Sequence, residues 1–108
     1  MKLIIAIVNK DDSAGLAASL SDSGFMSTKL STTGGFLKVG NVTLLIGVEE
    51  EKVDSCLKII EECCKKRTQM VSTAAGNHVD QFFTSLPVEI TVGGATVFVV
   101  DVEKFVKM

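Results

Sequence analysis

Residues 3–8 constrain the fold more than any other segment, because they are apolar at every position and rich in β-branched side chains. Such a run is typical of a strand that is buried on both faces of a sheet, not of one that alternates between core and solvent. We therefore predict that this segment forms the central strand. Residues 43–48 and 96–100 also carry apolar side chains on both faces.

Two amphipathic segments predict helices. The first follows a polar turn in which Asp12 or Ser13 is a candidate N-cap, and Gly24 ends it. The second runs from an acidic cluster at 49–51 to a basic cluster at 65–67, the polarity that the helix dipole favours. Its apolar stripe recurs every three or four residues and comprises Val53, Cys56, Leu57, Ile60, Cys63 and Cys64.

The other strands follow from alternation and from glycine-rich breaks. They comprise residues 25–31, 42–48 and 68–72, and a terminal hairpin of 88–92 and 95–102 that turns at Gly93 and Gly94. The order is β-α-β-β-α-β with the last strand drawn out into a hairpin, which indicates an α+β, ferredoxin-like sandwich. The length predicts a single domain over residues 1–108.

The helices of such a fold can cover only one face of the sheet. Since three of the strands are apolar on both faces, the second face must be buried by something outside the monomer. We therefore expect a homo-oligomer whose sheets pack together. Clefts between its subunits would be natural ligand sites.

Charge and hydropathy exclude several classes of function. A net charge of −2 and a pI near 5.3 argue against a protein that holds a nucleic-acid polymer by bulk charge. The apolar runs are shorter than the roughly 18 residues that a membrane helix needs, so we expect a soluble, cytoplasmic protein without membrane insertion. The three cysteines match no zinc spacing, and no metal site is predicted.

Catalysis is not expected either. The single histidine, His78, lies in the irregular segment 73–86, and the chain has no nucleophile motif to accompany it. The carboxylates at 49–51 are explained by the helix dipole and are not placed as an acid–base pair. We predict no catalytic residues and no cofactor.

The segment 28–41 has the composition that an anionic or nucleotide ligand favours. Its glycines let backbone N–H groups approach phosphate oxygens, Lys29 or Lys38 supplies charge, and Phe36 can stack on a base. Its sequence is neither the P-loop nor the dinucleotide fingerprint, however, and a plain turn would use the same glycines. From composition alone, a turn and a ligand loop are equally good interpretations.

Longer strings of the sequence resemble a known family. They are MKLIIAIV at 1–8, TKLSTTGGFL at 28–37, GNVT at 40–43, GV at 47–48 and PVEITVGGATVFV at 87–99. In this order and spacing they resemble the PII-like cyclic-di-AMP receptor proteins of Gram-positive bacteria, over nearly the whole chain. The resemblance implies a homotrimer of ferredoxin-like subunits that binds cyclic-di-AMP in intersubunit clefts, rearranges its loops with ligand, and is not an enzyme.

The resemblance also implies a set of ligand-binding residues and an unidentified downstream protein target. The ligand-binding positions are Thr28, Lys29, Gly35, Phe36, Leu37, Asn41 and Gly47. The chain departs from the family at Met26, where an arginine is frequent. Because a methionine cannot replace a bidentate cation, Lys38 or Lys107 is a candidate for the missing charge.

Other functions are compatible with the same fold class. One alternative is a PII-type regulator that binds ATP or another mononucleotide. Another is a trimeric metal or interaction protein that resembles the divalent-cation-tolerance proteins. An RNA-binding sheet is disfavoured by the acidic balance and by the lack of aromatic side chains on the sheet where bases would stack.

Overall fold

The computed structural model describes residues 1–30, 40–72 and 87–108 of the chain. In this part the chain forms six strands and two helices. They are β1 (Lys2–Asn9), α1 (Lys10–Asp22), β2 (Ser27–Leu30), β3 (Asn41–Val48), α2 (Val53–Cys63), β4 (Arg67–Ser72), β5 (Pro87–Val92) and β6 (Ala95–Asp101). A short 3-10 turn, Glu50–Lys52, precedes α2. Among the described residues, no helix is both long and apolar enough to cross a bilayer.

The main sheet has the strand order β2-β3-β1-β6, and each neighbouring pair is antiparallel. The predicted central position of β1 is confirmed, since β1 pairs along its length with β3 on one side and with β6 on the other. An α+β fold of this kind, with two helices on one antiparallel sheet, is consistent with the predicted ferredoxin-like sandwich.

The core lies between the sheet and the helices. Alternate residues of β1 and β3 are buried on this side, and α1 and α2 cover them with apolar residues of their own. The fully buried side chains are Ile4, Val8, Leu16, Leu20, Leu44, Ile46, Cys56, Ile60 and Cys64. Each large aliphatic side chain buried in this way stabilises the fold by about 1.5–3 kcal/mol before the entropy cost.

Helix α1 begins earlier than the sequence predicts. Its N-cap is Asn9, the last residue of β1, whose side-chain oxygen accepts a hydrogen bond from the Asp11 N–H at 2.8 Å. The prediction of Asp12 or Ser13 as N-cap is therefore wrong, because the extended backbone of β1 leads directly into the helix. Gly24 has a φ of +86°, as expected for the residue that ends the helix.

The second face of the main sheet is apolar, and no helix formed by the described residues covers it; we call it the open face. The register places Ile5 opposite Leu45 on β3 and opposite Phe98 on β6, so these side chains share one face. Phe98 keeps 52% of its surface exposed and Val100 keeps 41%. The predicted apolar character of the second face is thus found in the structure.

The predicted terminal hairpin is wrong. Strand β5 pairs with β4, from Arg67↔Val92 to Ser72↔Pro87, whereas β6 pairs with β1. We call the β4–β5 pair the arm. Gly93 and Gly94, with φ of +85° and +82°, carry the chain from the arm into the main sheet. Alternation indicated both strands correctly but could not indicate which neighbour each one would pair with.

The base of the arm is fixed to the helices by close contacts. The Gly94 N–H donates a hydrogen bond to the Cys64 carbonyl at 2.5 Å. Arg67 Nη2 lies 3.0 Å from Asp12 Oδ1 in the first turn of α1. A Cβ atom on Gly93 would lie 2.5 Å from the Lys65 carbonyl oxygen, so this position has no room for a side chain.

We therefore expect Gly93→Ala to lower the free energy of unfolding by about 1–3 kcal/mol, because the added methyl meets backbone and the φ is left-handed. Urea denaturation at fixed protein concentration measures the change. Gly15→Ala is the control, since this exposed position in α1 has nothing within 4 Å of an added Cβ. It should leave stability unchanged or raise it by up to about 1 kcal/mol. Equal stability of the two variants would contradict the prediction.

Candidate functional site

A cavity of about 650 Å³ lies on the open face at the Gly47 end of β3, and we call it the open-face cavity. Its floor is formed by Leu3, Leu45 and Gly47 of β1 and β3. Met26 and Thr28, before and within β2, form one side. The volume falls in the range of small-molecule sites, and apolar side chains supply most of the lining.

Strand register explains why these residues meet. Leu3 pairs with Gly47, and Leu45 pairs with Thr28, so the side chains of both pairs project from the same face. A Cβ atom on Gly47 would meet nothing within 4 Å. Packing within the chain therefore does not exclude a side chain at this position. The glycine leaves space above the sheet that a side chain would occupy.

The carboxyl-terminal segment after β6, which we call the tail, closes another side of the cavity. Its path begins where the Val102 N–H donates to the Met1 carbonyl at 3.2 Å, next to an ion pair between Lys2 and Asp101. Phe105 and Lys107 of the tail line the cavity. The open-face cavity is thus lined by the aromatic ring of Phe105, the hydroxyl of Thr28, the amine of Lys107 and the backbone of Gly47.

The structure brings together some of the predicted site residues and separates others. Thr28 and Gly47 line the open-face cavity. Lys29 pairs with Leu44, whose side chain is in the core, and so lies on the helix face of β2, opposite to Thr28. Asn41 is at the far end of β3, paired with Asn9. The predicted residues Gly35, Phe36 and Leu37, like Lys38 and the segment 73–86 with His78, lie outside the described residues.

Asn41 lines a separate, more polar groove of about 370 Å³ between the end of the main sheet and the base of the arm. Lys66, Thr91 and Thr96 also line it. Asn41 and Gly47 are six positions apart on β3, which corresponds to roughly 20 Å along a strand. Within one chain, these two predicted residues therefore do not face the same cavity.

Sequence reasoning missed several residues of the open-face cavity. Leu3 and Leu45 could have been found from the two-residue alternation of their strands, once the pairing of β1 and β3 with β2 was known. Phe105 carries no such signal, because it follows the last strand and its position depends on the contact between Val102 and Met1.

The described part of the chain contains two buried thiols, and their surroundings change their acidity. Burial raises the pKa of Cys56 and of Cys64 to about 11, so both thiols are protonated at neutral pH and poorly nucleophilic. In residues 1–30, 40–72 and 87–108, no three side chains of His, Cys, Asp or Glu cluster so as to hold a metal ion.

The described residues form an antiparallel sheet that is covered by helices on one face and carries a cavity of small-ligand size on the other. A family model described as "Cyclic-di-AMP receptor" matches residues 1–108. The chain therefore belongs to the cyclic-di-AMP receptor family, and the resemblance seen in the sequence is confirmed. Membership of a receptor family implies a binding protein without catalytic activity.

A solved structure is also similar to this chain. It is the crystal structure of a functionally unknown protein from Pediococcus pentosaceus ATCC 25745, which is 39% identical in sequence. The match covers 99% of this chain and 96% of that chain, with a TM-score of 0.75. The fold described above is thus shared with an experimentally determined structure over almost the full length of both chains.

Proposed function

We propose that this protein is a signal-transduction protein that binds cyclic-di-AMP in clefts between the subunits of a homotrimer and changes the conformation of its loops on binding. The observation that carries the proposal is the open-face cavity, which joins Thr28 and Gly47 to an aromatic and a cationic side chain in a member of a cyclic-di-AMP receptor family. The proposed ligand-binding residues are Thr28, Lys29, Gly35, Phe36, Leu37, Asn41 and Gly47.

The cavity matches the chemistry of a cyclic dinucleotide. Its apolar floor and the space above Gly47 suit a flat adenine base. The Thr28 hydroxyl and the Lys107 amine can bind phosphate oxygens. Lys107 is the charged side chain among the described residues that line the cavity. Its positive charge is complementary to the negative charge of the phosphates.

The separation of Asn41 from Gly47 supports a cleft that is shared by two subunits. A ligand in the cavity of one chain reaches the Asn41 position most directly if that asparagine belongs to a neighbour. The open face, with Phe98 and Val100 half exposed, offers the apolar surface on which a neighbour would pack. Lys29 starts from the helix face of the edge strand β2, so its side chain must reach around the edge of the sheet to contact a ligand in this cleft.

Titration calorimetry with cyclic-di-AMP, cyclic-di-GMP and ATP tests the ligand. We expect saturable binding of cyclic-di-AMP alone, at about one ligand per subunit, since one copy of the site is formed per chain in a closed assembly. Tight ATP binding without cyclic-di-AMP binding would contradict the proposal and favour a PII-type mononucleotide regulator.

Gly47→Val should weaken cyclic-di-AMP binding at least tenfold, a loss of about 1.4 kcal/mol. The branched side chain occupies the space above the sheet, its Cβ has no atom within 4 Å, and valine suits a strand, so the melting temperature should not fall. Gly15→Ala, on the exposed surface of α1, is the matched glycine control and should bind as the unchanged protein does. Undiminished affinity of Gly47→Val would show that the ligand lies elsewhere.

Light scattering tests the assembly. We expect a mass about three times the 11.5 kDa of one chain. Phe98→Glu, which places a charge on the open face, should reduce this mass, because burying an unpaired carboxylate between sheets is costly. Ala18→Glu on the exposed side of α1 should leave the mass unchanged. A trimer that persists in Phe98→Glu would contradict packing through the open face.

A further inference from the structure

The arm has few contacts with the rest of the described chain. Among the described residues, β4 and β5 make extensive contacts only with each other. The chain enters the arm after α2, at Lys66, and leaves it through Gly93 and Gly94, whose positive φ angles glycine adopts readily. Short connections of this kind can absorb the rotation of a rigid unit. The angle of the arm therefore depends on the few contacts at its base.

Arg67, the first residue of β4, makes the most directional of these contacts. Its Nη2 and Nη1 atoms lie 3.0 and 3.4 Å from the two carboxylate oxygens of Asp12, and Nη1 also donates to the Lys65 carbonyl at 3.2 Å. A Cβ atom on Gly93 would lie 2.8 Å from Nη1, so the guanidinium is close to this glycine. A bidentate pair fixes an orientation as well as a distance. We call the Asp12–Arg67 pair the latch.

The latch differs from an ordinary surface ion pair, which contributes little because both of its side chains are free to move. The side chain of Asp12 is only 10% exposed, and it lies in the first turn of α1, where the helix dipole favours a negative charge. The other contact at the base is the hydrogen bond from the Gly94 N–H to the Cys64 carbonyl. A single hydrogen bond permits rotation about it, so the latch is the contact that sets the angle.

The first turn of α1 also holds the start of β3. The Lys10 N–H donates to the Gly40 carbonyl at 2.6 Å. Asn41 pairs with Asn9, whose side chain caps the same helix. One helical turn thus contacts the base of the arm on one side and the predicted ligand residue Asn41, with its neighbour, on the other.

The groove beside Asn41, which we call the polar groove, has one wall on each of these two units. Asn41 belongs to the main sheet, whereas Lys66, Thr91 and Gly93 belong to the base of the arm. Rotation of the arm would move the second wall relative to the first and would widen or narrow the groove at Asn41. A ligand that binds one width better than another would therefore favour one angle of the arm.

We propose that the Asp12–Arg67 latch sets the angle of the arm and, through the polar groove, couples this angle to ligand binding at Asn41. The latch follows from the geometry of the chain alone. The coupling rests on the proposed function, which supplies the ligand. Asp12 and Arg67 are then positioning residues, which act on the site through the wall of the groove and not by contact with the ligand.

Residual dipolar couplings of backbone amides test the latch without any ligand, because they report the orientation of each N–H bond. In the unchanged protein, the couplings of β4 and β5 should fit the same alignment as those of β1 and β3. Asp12→Asn keeps the shape of the side chain but removes its charge, and it should reduce the couplings of the arm alone. Arg67→Lys should do the same, because lysine lacks the bidentate fork.

Asp11→Asn is the matched control. It removes an equal charge from the same helical turn, but from an exposed side chain, and it should leave all couplings unchanged. Combining Asp12→Asn with Arg67→Gln should loosen the arm no more than either change alone, since both break one pair. The latch is wrong if the couplings of the arm are unchanged in Asp12→Asn, or if they fall together with those of the main sheet.

Titration calorimetry with cyclic-di-AMP tests the coupling. Asp12→Asn should raise the dissociation constant by about threefold or more, because the apparent affinity falls with the fraction of molecules that hold the binding-competent groove. Asp11→Asn should bind as the unchanged protein does. If the unchanged protein does not bind cyclic-di-AMP, the proposed function fails, whereas the dipolar couplings still decide on the latch. If it binds, and Asp12→Asn loosens the arm at equal affinity, the proposed function stands and the coupling is wrong.

Discussion

The structure depends on one constraint: both edges of β1 must be hydrogen-bonded to other strands, and both of its apolar faces must be shielded from water. This strand is hydrogen-bonded to β3 and to β6, and apolar side chains project from both of its faces. Helices α1 and α2 cover the face of Ile4, Ala6 and Val8, where the core forms. On the other face, the tail lies at one end of the strand, so that the core and the candidate site are on the two sides of β1. These even-numbered residues of β1 pack in the core, whereas its odd-numbered residues face the open face. The same strand therefore contributes to stability with one set of side chains and to the candidate site with the other.

The sequence predicted those features of the fold that are local. The helix α2 follows from its stripe and its charged ends, and the central position of β1 follows from a run without polar residues. The terminal hairpin failed because strand pairing is decided by contacts between distant segments. Strand β5 pairs with β4, and a Gly94–Cys64 hydrogen bond and an Arg67–Asp12 ion pair fix the base of this pair. Neither contact can be inferred from the alternation of residues 88–102.

The candidate site was predictable to a smaller extent. Thr28 and Gly47 were named from family resemblance, and the structure places both at one cavity. The resemblance could not show that Lys29 lies on the opposite face, because that depends on the register of β2 with β3. Nor could it show that the tail turns back over the sheet, since the direction of the tail is set by a backbone hydrogen bond to the first residue of the chain. The sequence identified the types of side chain at the site. Which of these side chains lie together depends on the pairing of the strands.

The final residue pair of the arm, at its end away from the main sheet, bears on how much the length of the segment between β4 and β5 can vary. Ser72 and Pro87 are register partners, so the two ends of the intervening segment are held together by the strands beneath it. The entropy of closing a segment between fixed ends grows slowly, by about 0.6 kcal/mol for each doubling of length. Insertions, deletions and changes of composition between these residues therefore cost the fold little. Changes of length between Ser72 and Pro87 therefore leave the pairing of β4 with β5, and the main sheet, in place.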